Sequence, residues 1–533
     1  MKVSCEKNYP GSHCASRVCR LLLTLLAAVI GISCGDVYRP VAQPIIGPPP
    51  NPAAVHFIAS VATNGPLDPG SASRINVSGD TTQGLFPTGV FPAHAALIAN
   101  GTRLLVANAG EDTVSANAVS SPTVVTTISL PSGSKPVFVA STETANAYVA
   151  NSGNNTVSVL NAISNVLTTT VPVGTNPTAM AELPNGQKLY VLNKGSGDVT
   201  VINTVDDSIA ATIGVGSSPT WIVARSDNAR IYALDAGGTI YDIDTLTDTV
   251  RGTVSSGGSG ANFILYDNTS NSLLVTNSGS ASLSILDAST DPPQLRPSSP
   301  IAIAAPAIAG YPCQTAPVPQ AVTILPDGRA YVAAYQIDSG IVCTQSTVIN
   351  TAIGTVRSVI PLSSQATDAT NPTGCGTARF RVYTVTSGGG TTSNFKVYVS
   401  QCDAGSVDVI DTFATQGGTS PHPADVLAGE IGASISSFPP IQVAISAASQ
   451  DASSGTTTFT YSPANSGLRV GMKVFVTGMS DPENNGVFAI SSLDTTAGTF
   501  TVGNPLGVTT SGAQNGAGLV MPPQNPVFLV AGP

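Results

Sequence analysis

The chain has 533 residues, of which 10% are charged and 5% aromatic, and it contains 52 glycines and 40 prolines. Few charges and many turn-forming residues exclude helical bundles and coiled coils, and a 42% hydrophobic content excludes a disordered polymer. The formal net charge is -10 and no segment clusters Lys and Arg, so the composition predicts an all-β protein that does not bind nucleic acid.

The N-terminus has the layout of a secretory signal. Residues 21 to 33 form the apolar run LLLTLLAAVIGIS behind a basic segment, and this run is too short to span a bilayer. It ends in GISC, which resembles the cleavage box of bacterial lipoproteins, although Gly31 stands where Leu is usual. The resemblance implies that residues 1 to 33 are removed and that Cys34 is lipidated. We therefore expect a cell-envelope lipoprotein at the outer membrane, the cell surface or the periplasm; an ordinary secreted protein is the alternative.

A proline-rich segment follows the predicted anchor. Within residues 34 to 52, the run from Arg39 to Pro52 holds six prolines in fourteen residues, a composition that favours an extended polyproline conformation. At a rise of roughly 3.1 Å per residue, this run spans about 40 Å. The segment is predicted to be a tether between the membrane and a folded body.

A short motif recurs through the middle of the chain at a spacing of 42 residues. Each unit of about forty residues contains three turn clusters that separate four short runs rich in Val, Ile, Thr and Tyr. Four antiparallel strands per unit are typical of a β-propeller blade. The last motif residue, usually Asn, is predicted to serve a turn in the left-handed conformation. The motif copies are Tyr148 to Asn151, Tyr190 to Asn193, Tyr232 to Asp235 and Leu274 to Asn277.

These units resemble the YVTN family of β-propellers. The resemblance rests on LPDGRAYV at 325 to 332, NNTVSVLN at 154 to 161 and TTVPVGTNP at 169 to 177, and it extends over about residues 92 to 412. It implies the propeller fold and four-stranded blades. It implies little about function, because members of the family are mostly envelope or surface proteins without a defined activity.

The two ends of the chain are predicted to complete one blade together. Residues 525 to 533 resemble an inner strand without its blade, and the segment after residue 53 resembles outer strands without an inner one. Joining them closes the ring and removes exposed sheet edges. The sequence then favours eight blades within residues 53 to 430 plus the closing strand, and seven blades are the alternative.

Late insertions interrupt the regular spacing. Added residues around 296 to 318 and 361 to 376 are predicted to lie between one blade's last strand and the next blade's first, on one rim of the propeller. Residues 431 to 524 form a larger insertion with four strand-like runs, which predicts a small β domain. Its segment Asp481 to Gly486 is interpreted as a hairpin turn in preference to a Ca²⁺ loop, because it lacks spaced carboxylates. Rims that carry insertions are where binding loops are expected.

Four cysteines remain beyond the anchor. Cys313 and Cys375 each precede an inner strand, whereas Cys343 and Cys402 each follow a second strand, and these two places open on the same face of a blade. The topology therefore favours disulfides between residues 313 and 343 and between residues 375 and 402. Four free thiols are the alternative, and a zinc site lacks CxxC spacing.

The sequence offers no catalytic constellation. Outside the leader the histidines are His56, His94 and His422, without HxH, HExxH or GxSxG spacing, so no catalytic residue, metal or cofactor is predicted. When the inner strands are aligned, large residues share one position, where they either pack between blades or line the mouth of the central channel and bind a ligand. Packing is the favoured interpretation. These residues are His94, Phe138, Trp221 and Phe528.

Three functions are compatible with these features. The favoured one is a monomeric, membrane-tethered scaffold that binds an envelope protein or a glycan through its decorated rim. The first alternative is a propeller enzyme of the lactonase or lyase type, which needs His and carboxylates converging at the channel mouth. The second is an architectural component of a surface coat.

Overall fold

A computed structural model describes residues 57–67, 69–98, 101–119, 125–141, 146–366, 374–387, 395–413, 424–432, 442–464, 466, 468, 470, 473–520 and 525–532. The predicted signal peptide, the lipidation site Cys34 and the proline-rich tether lie outside this set. The described chain is built of β-strands, with one 3-10 turn at Pro482–Asn484. In this described part, no helix has the length and apolarity needed to cross a bilayer.

The two termini of the folded chain share the first sheet, as the sequence suggested. Its order is β3-β2-β1-β39, and Val61 of β1 lies opposite Phe528 of β39. The strands are β1 (Phe57–Thr63), β2 (Pro69–Asn76), β3 (Thr81–Val90) and β39 (Asn525–Gly532).

Sheets 2 to 5 are regular four-stranded antiparallel meanders, one for each repeat unit. Sheet 2 contains β4 (Pro92–Ile98), β5 (Arg103–Asn108), β6 (Thr113–Ala118) and β7 (Val125–Ser129). Sheet 3 contains β8 (Pro136–Ser141), β9 (Asn146–Asn151), β10 (Thr156–Asn161) and β11 (Val166–Pro172). Sheet 4 contains β12 (Pro177–Glu182), β13 (Lys188–Asn193), β14 (Asp198–Asn203) and β15 (Ser208–Gly214). Sheet 5 contains β16 (Pro219–Ala224), β17 (Arg230–Asp235), β18 (Thr239–Asp244) and β19 (Thr249–Ser255).

Sheets 6 to 8 carry the irregularities. The outer strand of sheet 6 is split into two short pieces that both pair with β22. Sheet 6 contains β20 (Ala261–Asp267), β21 (Ser272–Asn277), β22 (Ser282–Asp287), β23 (Gln294–Leu295) and β24 (Ile301–Ala302). Sheet 7 contains β25 (Val318–Ile324), β26 (Arg329–Asp338), β27 (Ile341–Asn350) and β28 (Thr355–Ala366). Sheet 8 contains β29 (Val382–Ser387), β30 (Lys396–Gln401), β31 (Ser406–Asp411) and β32 (Val426–Gly432).

The sheets are arranged as a propeller. The inner strands pack in the cyclic order β4, β8, β12, β16, β20, β25, β29, β39 and back to β4, which closes a ring around a central channel. Second strands such as β13 are buried on both faces because each lies between two neighbouring sheets, whereas the outer strand β11 is mostly exposed. The sequence favoured eight blades and allowed seven, and the described strands form eight sheets of this kind.

One face of the ring, termed the upper face, carries two kinds of connection. The turns between second and third strands hydrogen-bond to the joints that lead into inner strands, as in Ser152 N to Lys135 O (3.1 Å) and Cys402 N to Arg381 O (3.0 Å). The opposite, lower face carries the turns between first and second and between third and fourth strands. The prediction that the added residues at 361 to 376 all lie between two blades was partly wrong. Residues 361 to 366 belong to β28, and β26 and β27 each have ten residues where β9 has six. This longer hairpin also points to the upper face.

The repeated Asn has a structural role other than the one expected. Asn151 ends β9, is fully buried, and donates from Nδ2 to Thr156 Oγ1 (3.0 Å) and Ser158 Oγ (2.8 Å) of the next strand. The left-handed conformation is adopted instead by Asn155, at φ 60°. The Asn therefore fixes the second strand to the third through its side chain, and the turn residue lies four positions later.

The 431–524 insertion contains a closed barrel of six strands in the order β33-β34-β37-β36-β35-β38. The sequence indicated four of these strands. Asp481 to Gly486 is a turn in which Asn485 Oδ1 accepts from Met479 N (3.0 Å), and this occupies an oxygen that a Ca²⁺ loop would need. The strands are β33 (Gln442–Asp451), β34 (Thr456–Ser462), β35 (Lys473–Thr477), β36 (Gly486–Asp494), β37 (Thr499–Gly503) and β38 (Gly516–Val520).

Candidate functional site

The four large residues singled out at the inner strands meet inside the central channel. His94 stacks on Phe138 with ring centroids 3.8 Å apart, and its ring lies 4.3 Å from that of Phe528. Phe138 contacts Trp221 edge to face at 5.9 Å. All four are at most 2% exposed, so they contact one another and present no free ring face to a ligand. Their burial agrees with the packing interpretation.

Three further rings complete this cluster and were missed by the sequence analysis. Phe263 occupies the shared position in β20 and lies 4.8 Å from Trp221, so the inner-strand alignment held a signal for it. The alignment held no signal for Phe380 and Tyr383, because residues 374 to 379 form turns and the inner strand β29 begins only at Val382. The aromatic plug is defined as His94, Phe138, Trp221, Phe263, Phe380, Tyr383 and Phe528.

His94 is neutral within the plug. Burial holds its pKa well below the usual range for histidine, and the positive charge of Arg379 lowers the pKa further. Its Nδ1 accepts a hydrogen bond from Val139 N at 3.2 Å, which places the ring proton on Nε2. This Nε2 has no hydrogen-bond partner in the described protein and is a buried donor.

Arg379 lies across the upper end of the plug. Its guanidinium carbon is 4.3 Å from the centre of the Trp221 ring, an arrangement that favours cation-π attraction. Nη2 donates to Thr220 O at 3.2 Å and Nη1 donates to Thr178 O, so a residue of the joint before sheet 8 reaches the inner strands of sheets 4 and 5. Burial lowers the pKa of Arg379 to about 10, so the side chain is still charged at neutral pH.

Two disulfides fix loops to the upper face. Cys375 bonds to Cys402, which anchors the turn that carries Arg379 to the turn between the second and third strands of sheet 8. Cys313 bonds to Cys343, which anchors residues 303 to 317 to the long hairpin of sheet 7. Both pairs are those that the topology favoured at the sequence level. Arg381 adds a two-pronged ion pair to Asp403, with Nε to Oδ2 at 2.6 Å and Nη2 to Oδ1 at 3.1 Å.

The enzymatic alternative requires His and carboxylate side chains that converge at the channel mouth. In the part of the chain that the structure describes, three or more His, Cys, Asp or Glu side chains nowhere come together as a metal site. Arg379 has no Asp or Glu oxygen within 4.0 Å among the described ion pairs. In the described part of the mouth, the cation Arg379 lies beside the neutral His94 and the residue Thr178.

Comparison with known proteins does not assign the chain to a family. No family model matches the chain, and no curated protein matches it. Among solved structures, hydrazine synthase of Kuenenia stuttgartiensis is 19% identical over 50% of this chain and 73% of its own, with a TM-score of 0.37. Virginiamycin B lyase of Staphylococcus aureus is 12% identical over 58% of this chain and 92% of its own, with a TM-score of 0.39. A dihydro-heme d1 dehydrogenase is 13% identical over 59% of this chain and 75% of its own, with a TM-score of 0.41. Membership of the YVTN family stays a prediction.

Proposed function

We propose that this chain is an exported, membrane-tethered propeller that binds an envelope protein or a glycan through its upper face. The observation that carries the proposal is the asymmetry between the two faces. The long hairpin of sheet 7, the loop at residues 303 to 317, the Arg379 turn and the joint that holds residues 433 to 524 all belong to the upper face. On the lower face, the connections of sheets 3 to 5 are four or five residues long, and the longer ones, residues 388 to 395 and 412 to 425, both belong to sheet 8. Loops on a rigid scaffold are where binding residues are usually found.

The upper loops are held in place, which favours binding by a preformed surface. Gln314 N donates to Asp338 Oδ2 at 3.0 Å, so the 303 to 317 loop is fastened to the tip of the long hairpin. The disulfide at Cys313 fastens the same loop a second time. A surface that is already ordered loses less conformational entropy when a partner binds.

The remaining parts of the proposal come from the sequence. Cleavage after residue 33 and lipidation of Cys34 would tether a monomer to the membrane, with the proline-rich segment as spacer. Labelling with a radioactive fatty acid tests the anchor, and Cys34→Ser is expected to abolish the label and release the protein from membranes. Retention of the label in that variant would contradict lipidation at this position.

A binding screen with face-specific variants tests the function. Mature protein is screened against glycans and purified envelope proteins, and any hit is remeasured with Ile337→Glu on the upper face. Ile337 is 44% exposed, and the control Leu246→Glu changes a residue of the lower face that is 89% exposed. Loss of binding only in the Ile337 variant is expected. Loss of binding only in the Leu246 variant would place the interface on the lower face and contradict the proposal.

The barrel is tested separately. Because β32 ends at Gly432 and β39 begins at Asn525, a short flexible linker can replace residues 433 to 524 without removing a propeller strand. Binding that survives this change is assigned to the propeller itself. Binding that requires the barrel while tolerating Ile337→Glu would contradict the proposed upper-face site.

A further inference from the structure

Among the described residues, no carboxylate forms an ion pair with Arg379. The described ion pairs join other cations, such as Lys188 and Arg381, to carboxylates, whereas Arg379 contacts aromatic rings and backbone carbonyls. A guanidinium that has lost much of its hydration and has no anion is at a higher free energy than one that is paired. An anion that enters from solvent can supply that pairing.

The side chain keeps hydrogen-bond donors for such an anion. A guanidinium has five N–H groups, and the described hydrogen bonds of Arg379 use one on Nη1 and one on Nη2. The residue is partly exposed, and its guanidinium lies at the upper end of the plug over the Trp221 ring. Thr178, whose carbonyl accepts from Arg379, also has a buried hydroxyl that is without a partner in the described protein.

We propose that Arg379 and the hydroxyl of Thr178 bind the carboxylate group of a small organic acid, such as an acidic sugar, at the mouth of the channel. This inference deepens the proposed function, because it assigns a ligand class to the upper face. A single negative charge balances the single cation. The inner-strand side chains Thr220 and Asn262 are neutral, so they do not repel an anion, and their hydrogen bonds to Ala261 O and Pro319 O join neighbouring sheets around the mouth.

The carboxylate lies above the guanidinium and not on the tryptophan. Trp221 is 2% exposed, and the guanidinium covers its upper side at 4.3 Å. Binding of an anion to Arg379 therefore changes the electric field at the indole without displacing it. Because the protein contains one tryptophan, its emission reports on this site alone.

The test is a titration of the mature protein followed by tryptophan fluorescence. Glucuronate is the probe, glucose is the neutral match, and acetate distinguishes a free carboxylate from an acidic sugar. A saturable change with glucuronate and none with glucose is expected. A response to acetate of equal strength assigns the site to small carboxylates in general, which also supports the proposal. The same response to glucose and glucuronate, or no response to either carboxylate, overturns it.

Two variants and a control assign the response to residues. Arg379→Gln is expected to weaken glucuronate binding by roughly tenfold or more, as for loss of a charge-assisted contact. The control Arg251→Gln removes an arginine on the outer strand β19 and is expected to bind as the unchanged protein does. Thr178→Val keeps the cation and is expected to weaken binding several-fold. If Arg379→Gln does not fold, unchanged affinity in Thr178→Val overturns the proposal, as does unchanged affinity in a folded Arg379→Gln.

Failure of this inference is distinguishable from failure of the proposed function. If neither carboxylate binds but a partner from the screen is still lost with Ile337→Glu, the upper face binds its partner and the Arg379 site does not exist. If glucuronate binds but every partner still binds the Ile337→Glu variant, the Arg379 site exists and the proposal that partners bind the upper face is contradicted.

Discussion

The hydroxyl of Tyr190 lies 2.6 Å from Oδ1 of Asp248 and donates to it across the boundary between sheets 4 and 5. Tyr190 is the first residue of the repeated motif in β13, and Asp248 is in the turn between the third and fourth strands of the next sheet, at φ 52°. Other boundaries repeat this contact. The further pairs are Tyr148 with Asp207, Tyr331 with Asp425 and Tyr398 with Asp80.

The contact explains why tyrosine recurs at the motif. The ring fills space between two sheets and the hydroxyl reaches an acidic turn residue that adopts the left-handed conformation, which Asp tolerates better than most residues. Lys188 Nζ lies 2.7 Å from the other oxygen of Asp248 and completes an ion pair. Burial and the hydrogen bond to Asp248 raise the pKa of Tyr190, so its hydroxyl stays protonated and donates this hydrogen bond at any physiological pH.

Removing this hydroxyl is expected to destabilise the protein. Tyr190→Phe removes a hydrogen bond to a partly buried carboxylate, which costs about 1 to 3 kcal/mol of unfolding free energy. Urea unfolding measures the change. Tyr311→Phe is the matched control, because the Tyr311 hydroxyl is buried without a partner and its loss should not lower stability. Equal destabilisation in both variants would contradict a specific role for the contact to Asp248.

The ring closure depends on the last strand. Deleting residues 525 to 533 removes β39, leaves the edge of β1 unpaired, and takes Phe528 out of the aromatic plug. We expect the truncated protein to aggregate, because an exposed strand edge pairs with other chains. Light scattering after size-exclusion chromatography measures this. The protein in which a linker replaces residues 433 to 524 keeps β39 and should remain monomeric; aggregation of that protein as well would show that closure is not the cause.

The sequence predicted the strands that recur in every repeat unit, but it did not predict contacts that occur only once, such as those of Arg379. Short strands and the 42-residue period indicated the sheets. The second strand of each sheet is buried between two neighbouring sheets, so each repeat needs the same apolar pattern there. Arg379 had no such signal. Its contact to Thr178 joins residues 201 positions apart, and it depends on a ring that brings sheet 8 opposite sheet 4.

The lengths of the irregular strands also could not be predicted from the sequence. The strand β26 continues for four residues beyond the six that are usual for a second strand, and the apolar residues there are compatible with either a longer hairpin or a loop. The position of Phe380 in the plug follows from the turn at Gly374, where Thr377 N donates to Gly374 O at 3.1 Å. Local hydrogen bonds of this kind decide where a strand begins, and the apolar pattern alone does not encode them.

Asp408 is expected to make stability depend on pH. It is 2% exposed in β31, and burial, with a smaller effect of the charge of Glu430, raises its pKa to about 7. The folded pKa exceeds the unfolded value near 3.8, so the folded protein holds a proton that the unfolded chain releases between pH 4 and pH 7. Stability should therefore fall as pH rises through this window and stay lower above it.

Asp408→Asn removes this dependence. The variant should be more stable than the unchanged protein at pH 8, on the order of 2 to 4 kcal/mol, and similar to it near pH 4. Urea unfolding across this pH range measures both. A variant that was less stable at pH 8 would show that the charged carboxylate makes favourable contacts, and the direction of the pKa shift would be wrong.

The two disulfides are expected to differ in their effect on the channel. Replacing Cys375 and Cys402 by Ala frees the turn that holds Arg379 over Trp221, so tryptophan emission should change and unfolding free energy should fall by about 2 to 4 kcal/mol. Replacing Cys313 and Cys343 opens a loop of similar size, with a sequence separation of 30 against 27, and should cost a similar free energy. Its tryptophan emission should be unchanged, because that loop does not contact the indole. A shift of emission in both double variants would mean that Arg379 is held by the ring as a whole and not by its own disulfide.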